Sequence, residues 1–143
     1  MPTLYVARSR SLQGWAAEVG LTLNVYKLGL SAAPGGAAAI DALNAASFAG
    51  RSDWELMAEQ PADADTDTDA EIAMIERAKR KETEIDPTYY PQIRRARGIF
   101  KVKPANAENH FLVREALDGQ QQIKAVKLTP ARIATYLLRT AAG

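Results

Sequence analysis

The segment from residue 94 to residue 103 has residue types and spacing that suit contact with a polyanion. Its basic residues are Arg94, Arg95, Arg97, Lys101 and Lys103. Aromatic side chains lie beside or among them, at Tyr89, Tyr90 and Phe100. Cations contact phosphates and aromatic rings stack on bases, so the segment predicts binding to DNA or RNA. The alternative is a solvated strand whose alternating lysines protect a sheet edge.

An acidic segment, residues 63–76, has some of the spacing of a calcium loop. Oxygen-bearing side chains stand at the first, third, fifth and twelfth positions of such a loop: Asp65, Asp67, Asp69 and Glu76. The sixth position is Ala70, where the sharp turn of the loop requires glycine, and Pro61 lies where the first helix of the motif should run. The pattern favours a solvated acidic loop before a helix over a calcium site.

The numbers of cysteine and histidine residues limit which catalytic and metal-binding sites the chain can form. The chain has no cysteine, which excludes disulfides, thiolate nucleophiles and cysteine-ligated metals. His110 is the only histidine, which excludes a site with two histidine ligands. Glu108 or Glu115 could partner it on a helix, but a surface histidine is favoured.

Gly29, Gly35 and Gly36 could cradle a phosphate, yet no complete phosphate-loop motif is present and turn geometry explains them equally well.

Size and charge give the general class. At 143 residues, of which 47% are hydrophobic, the chain can bury one core, so we expect a single domain over 1–143. The net charge of +1 predicts no global attraction to nucleic acid or membrane, so any such binding needs a local patch. No apolar run approaches a membrane span, and no leader is apparent. We expect a cytoplasmic protein without a membrane partner.

The elements that must position these residues follow from hydrophobic periodicity. Strands are predicted at residues 3–8, 21–30, 52–60, 98–103 and 121–128. Helices are predicted at residues 9–20, from 34 to 44, after the acidic segment, at 106–117 and from 130 onward. Thr68 and Glu71 have the spacing of a capping box, with Ile72, Ile75 and Ala78 facing the core. Ile133, Tyr136 or Leu137, and Leu138 should pack the last helix. The predicted fold class is α+β, a small, mostly antiparallel sheet flanked by helices.

The first half of this order resembles the start of a GIY-YIG endonuclease domain. Leu4-Tyr5-Val6 corresponds to the first motif, and Tyr26-Lys27-Leu28-Gly29 corresponds to the second with one additional residue. Either Tyr26 takes the second tyrosine role, or the chain is similar to the phage and restriction-associated branch, which has Lys27 there and Gly29 in register. Pro34 and Leu43-Asn44 fit that frame. The resemblance covers about residues 3–103, which leaves 104–143 as a C-terminal extension with a strand and a helix.

The resemblance implies a set of site residues. Tyr5 with Tyr26 or Lys27 would relay a proton from water, an arginine would steady the phosphate, and a glutamate, Glu76 or Glu108 by order, would hold Mg²⁺ or another divalent cation. The arginine is missing, because its place falls at Gly36 or Ala37. Its loss would be expected to reduce the rate by a factor on the order of hundreds.

Three functions therefore follow from the sequence. The first is a nucleic-acid-associated protein on a GIY-YIG-like scaffold, catalytically weak or inactive. The second is an active metal-dependent nuclease, in which Arg8 or Arg51 replaces the missing arginine. The third is a protein-interaction or accessory module that does not bind nucleic acid.

Overall fold

The structure, a computed structural model, describes residues 2–32, 34–62, 68–94, 96–117 and 129–142. Five strands form one sheet in the order β3-β1-β2-β5-β4, and every neighbouring pair is antiparallel. The strands are β1 (Thr3–Ser9), β2 (Val25–Ser31), β3 (Trp54–Pro61), β4 (Thr83–Glu84) and β5 (Ile99–Lys101). The predicted α+β class with an antiparallel sheet is confirmed. The strand predicted at 121–128 lies outside the described residues.

Five α-helices flank this sheet. They are α1 (Arg10–Glu18), α2 (Ala37–Ala45), α3 (Thr68–Lys79), α4 (Pro104–Leu117) and α5 (Pro130–Ala142), with short 3₁₀ turns at Phe48–Gly50 and Pro91–Ile93. The Ser9 hydroxyl caps α1 by accepting a hydrogen bond from the Leu12 N–H, and the alanine-rich composition of α2 suits a helix. No helix within the described ranges is long and apolar enough to cross a membrane.

Both faces of the sheet are covered, so side chains that alternate along one strand enter two different cores. Leu4, Val6, Tyr26 and Leu28 point to one face, where α3, α4 and α5 pack; we call it the α5 face. The opposite face, called the α2 face, carries residues of the same strands in the other phase and is covered by α1, α2 and the two 3₁₀ turns. Its strand residues include Tyr5, Ala7, Val25 and Ile99.

Two of the three helices on the α5 face, α3 and α5, differ in how well periodicity predicted their buried residues. In α5, the predicted residues Ile133, Tyr136, Leu137 and Leu138 are all buried, which confirms the prediction. In α3, Ile75 and Ala78 are buried as predicted, but Ile72 is 47% exposed, so its assignment to the core was wrong. The inward stripe passes through residues 71, 75 and 78, and position 72 is about 100° away around the helix.

A buried polar cluster fixes the turn after α3 to the last two helices. The Glu82 carboxylate accepts hydrogen bonds from the Lys103 backbone N–H (2.6 Å), the Asn106 side-chain amide (2.8 Å) and the Tyr136 hydroxyl (2.7 Å). Burial, together with the hydrogen bond to Glu82, raises the pKa of Tyr136. The hydroxyl therefore remains a proton donor, and α5 is held to the sheet by polar as well as apolar contacts.

Candidate functional site

Tyr5 lies on the α2 face with its ring directly over Gly29 of the neighbouring strand. The two residues are paired in the β1–β2 register, and a Cβ at Gly29 would lie 2.4 Å from both Cζ and the hydroxyl oxygen of the ring. The Tyr5 ring can therefore occupy this position only because residue 29 is a glycine and has no side chain. Burial, and to a lesser extent the charge of Glu71, raises the pKa of Tyr5 to about 12, so its hydroxyl is protonated at neutral pH.

Lys27 lies on the same face, paired with Ala7 two register positions from the Tyr5–Gly29 pair, and its ammonium group is buried. Nζ donates hydrogen bonds to the carbonyls of Leu28 (2.9 Å) and Arg97 (3.2 Å) and lies 5.0 Å from the ring centroid of Phe48. Burial lowers the pKa of Lys27 to about 8, although two carboxylates oppose the shift. Because of this, the amine can both hold and release a proton close to neutral pH.

Glu71 completes a group of three ionisable side chains at this place. Among the described residues, strand β5 pairs with Val25–Lys27 of β2, and α3 also contacts β2. The Glu71 carboxylate lies 3.9 Å from the Lys27 Nζ, and its charge also raises the pKa of Tyr5. We call Tyr5, Lys27 and Glu71 the ionisable cluster. Sequence reasoning had given Glu71 only a capping role.

The other sequence candidates for this cluster lie elsewhere. Tyr26 is 1% exposed in the core of the α5 face, so its proposed gathering with Tyr5 is wrong; adjacent residues of a strand point to opposite faces. Of the two registers left open, the one using Lys27 places a polar side chain on the same face of the sheet as Tyr5. Glu76 is on the exposed side of α3 and pairs with Lys79 at 3.5 Å, and Glu108 is on α4, which packs on the α5 face. Neither glutamate reaches the cluster.

A groove of about 700 Å³ opens on the α2 face beside Tyr5. Its walls are α2, the turn at Phe48–Gly50 and the segment that follows Ile93, and most of its lining is alanine, leucine and phenylalanine. The charged side chains that line it are Arg94 and Arg97. The groove is therefore an apolar channel with cationic residues on one wall.

Backbone strain is concentrated along this groove. Ser47, Ala49 and Arg94 are the non-glycine residues with positive φ among those described, at 49°, 57° and 52°, and all three line the groove. A non-glycine residue in this conformation costs roughly 1–3 kcal/mol, and such residues cluster at functional sites. Gly50 makes room for the Arg94 side chain, because a Cβ there would lie 3.2 Å from Nε. The chain thus bears strain at the position that brings a guanidinium to the groove.

Of the two places where the missing arginine would fall, Gly36 has no room for a side chain, whereas Ala37 is exposed. A Cβ at Gly36 would lie 2.7 Å from Leu56 Cδ1 and 2.9 Å from a Glu59 carboxylate oxygen, and that oxygen accepts a hydrogen bond from the Gly36 N–H. The Gly35 N–H donates to the Thr3 hydroxyl at 2.8 Å. These backbone donors are used within the chain, so they form no phosphate cradle. Arg8 is no substitute, since it pairs with Glu55 at 2.5 Å and faces Tyr26.

The predicted basic segment is divided in the structure. Arg94 and Arg97 line the groove, but Arg97 also donates two hydrogen bonds to Glu84, at 3.0 and 3.2 Å, and this pairing raises its pKa. Lys101 and Lys103 lie further along, at the end of β5 and before α4, and do not line the groove. Arg95 lies outside the described residues. The closeness of these basic residues along the sequence therefore overstated how many of them share one surface.

Comparisons of the chain with protein-family models, with curated proteins and with solved structures found no match. Within the described part of the chain, no three acidic or histidine side chains come together as a metal site would require. The ionisable cluster and the groove are therefore the features from which a function can be inferred.

Proposed function

We propose that the protein binds DNA or RNA along the groove on the α2 face, with the phosphate backbone against Arg94. The observation that carries this proposal is the strained, left-handed Arg94, held beside Tyr5 in an apolar channel. Phosphates contact the guanidinium groups, while unstacked bases lie against the apolar wall near Phe48. The proposal is consistent with a net charge of only +1, because the contact is local.

The proposed binding is strongly dependent on salt but modest in affinity. Arg94 and Arg97 neutralise at most two phosphates, and each phosphate adds about 0.9 to the slope of log K against log salt for duplex DNA. A slope near −2 corresponds to a loss of about tenfold in affinity between 50 and 200 mM salt. A protein with a continuous basic surface would lose far more.

Cleavage is proposed to be weak or absent. The Lys27 ammonium lies 3.9 Å from the Glu71 carboxylate and neutralises the acidic group that a divalent cation would need. The residues described at the cluster offer a cation only this one paired carboxylate, so they fit Mg²⁺ poorly. Neither position that could hold a phosphate-clamping arginine carries one: Leu56 and Glu59 leave no room for a side chain at Gly36, and residue 37 is alanine.

Fluorescence anisotropy with labelled single-stranded and duplex oligonucleotides tests the proposal. Binding should be measurable at 50 mM salt, and Arg94→Gln should weaken it about tenfold, as loss of one charge-assisted contact does. Arg10→Gln is the matched control, because that side chain is 73% exposed, pairs with Glu55 and does not line the groove. Absence of binding at 50 mM salt, or equal effects of the two substitutions, would contradict the proposal and favour an accessory module without nucleic-acid binding.

A second candidate, a nuclease, is favoured by one observation: Tyr5 and Lys27, whose pKa values are both shifted by burial, share one site with the Glu71 carboxylate. Its test is cleavage of labelled oligonucleotides with and without Mg²⁺ or Mn²⁺. Tyr5→Phe and Glu71→Gln should abolish cleavage, and Tyr26→Phe should not, because that ring lies on the other face of the sheet. If no product forms with any of these metals, the enzyme hypothesis is removed and the binding hypothesis is left intact.

A further inference from the structure

A second concave site lies where the ends of α3 and α5 meet α4. This cleft, of about 240 Å³, is lined by Arg77, Arg80, Lys81, His110, Arg139 and Thr140. Four of the six residues are arginine or lysine, and no carboxylate of the described residues lines the cleft. The site does not belong to the groove, since the two share no lining residue. We call it the basic cleft.

The side chains of the basic cleft are held in place by their surroundings. The Arg77 Nε donates to the Ala141 carbonyl at 2.7 Å, and the Arg139 guanidinium lies 5.7 Å from the ring centroid of Phe111. An Arg139 nitrogen also lies 3.4 Å from the His110 Nε2, and the His110 ring packs against Tyr136. The cleft is therefore lined by donor-bearing side chains from α3 and the turn that follows it, α4 and α5.

Cations near helix C-termini are common, since they complement the partial negative charge there. Arg77 fits that explanation through its bond to the Ala141 carbonyl. Arg139 in the last turn of α5, and Arg80 and Lys81 directly after α3, also fit it by position, but the dipoles of two separate helices do not explain why these cations line one cleft. Within the described ranges, Arg77, Arg80, Lys81 and Arg139 form no ion pair with a carboxylate, although other surface cations do so. Like charges crowded in this way repel one another unless an anion joins them.

The chemistry of the lining restricts the ligand. Guanidinium and ammonium groups supply only donors, so the ligand must supply several acceptor oxygens and negative charge. Planar guanidinium groups suit phosphate oxygens, which accept two parallel hydrogen bonds from each. The cleft is small and bounded by three helices, which fits one or two phosphate groups better than an extended strand.

We propose that the basic cleft binds a small phosphorylated anion through Arg80, Arg139 and their neighbours, independently of the groove. Inorganic pyrophosphate is the probe, titrated into the full chain at low ionic strength. His110 is the only histidine of the chain, so its ring proton signals report this site alone in an NMR spectrum. The signals should move and saturate as pyrophosphate is added.

Substitutions then identify the cations responsible. Arg80→Gln and Arg139→Gln should each weaken pyrophosphate binding about tenfold, and Arg10→Gln should leave it unchanged. Arg80 is exposed and follows α3, so its substitution keeps the proposal testable if Arg139→Gln loosens α5. A His110 signal that does not move, or equal weakening by Arg10→Gln, would overturn the proposal.

A further titration separates the two sources of phosphate. An oligonucleotide with hydroxyl groups at both ends supplies only phosphodiesters, and it should move the His110 signals much less than pyrophosphate at the same phosphate concentration. An equal or larger response would overturn the small-anion proposal and assign the cleft to a nucleic-acid backbone. Loss of groove binding in Arg94→Gln leaves this titration unaffected, so the two proposals can fail separately.

Discussion

Replacing Lys27 by methionine tests the buried ionisable cluster most directly. The pKa of Lys27 is lowered from 10.5 to about 8 by burial, so the folded protein gives up this proton at lower pH than the unfolded chain does. Between about pH 8 and 10.5 the unfolded state binds more protons, and stability therefore rises with pH across this window. Below pH 8 both states are protonated, and the cost of burying the charge is fully present.

The size of the effect follows from the same pKa values. Integrating from pH 7 to pH 9.5 with pKa values of 8 and 10.5 gives about 2 kcal/mol of stabilisation from this one group. The raised pKa of Tyr5, about 12, works in the opposite direction, but mainly above pH 10. Methionine has a volume similar to that of lysine and no charge. Lys27→Met should therefore lose the increase of stability with pH that Lys27 causes, while the pH dependence contributed by Tyr5 remains.

Urea denaturation followed by the fluorescence of the buried Trp54 measures the difference. The stability of the wild type minus that of Lys27→Met should increase by about 2 kcal/mol between pH 7 and pH 9.5. Lys103→Met is the control, because that side chain is exposed, and its difference from the wild type should stay constant with pH. A constant difference for Lys27→Met would show that its ammonium is solvated, and the cluster as described would then be wrong.

Three other substitutions test separate parts of the structure. Gly29→Ala places a methyl group 2.4 Å from the Tyr5 ring, so it should lower the free energy of unfolding in urea by about 1–3 kcal/mol. Gly14→Ala is the control, because Gly14 lies in α1 with nothing within 4 Å of an added Cβ, and this change should be neutral or stabilising. Similar values for both variants would refute the packing of Tyr5. Arg94→Gln should reduce the salt slope of oligonucleotide binding by about 1, and an unchanged slope would remove Arg94 from the interface. Tyr136→Phe should lower thermal stability by about 1–2 kcal/mol, because it removes one donor to the buried Glu82; an unaltered melting temperature would argue against that hydrogen bond.

The sequence predicted the fold class and most elements, because strong periodicity depends only on which side of an element is buried. The short strand β4 was not predicted, since two residues carry no periodic signal and its pairing depends on β5. The sequence alone also could not predict which polar side chain shares the face of Tyr5. A shift of one residue in strand register exchanges Tyr26 for Lys27, and only the pairing of Tyr5 with Gly29 decides between them.

Glu71 could have been identified from helical spacing. It precedes Ile75 by four residues and Ala78 by seven, so it lies on the buried stripe of α3, where a carboxylate needs a partner. The role of Arg94 could not have been found in this way. Its position depends on a left-handed backbone and on the space left by Gly50, a residue more than forty positions earlier.

The C-terminal helix has a practical consequence for anyone preparing fragments of this protein. Residues 104–143 read in the sequence as an extension, yet α5 covers the strands that carry Leu4, Val6 and Leu28 and supplies Tyr136 to Glu82. A recombinant fragment that ends before residue 130 would expose that apolar surface to water and leave a carboxylate without one of its donors. Such a truncation should give aggregates in the insoluble fraction rather than a minimal domain, and deletion mapping of activity would then report misfolding.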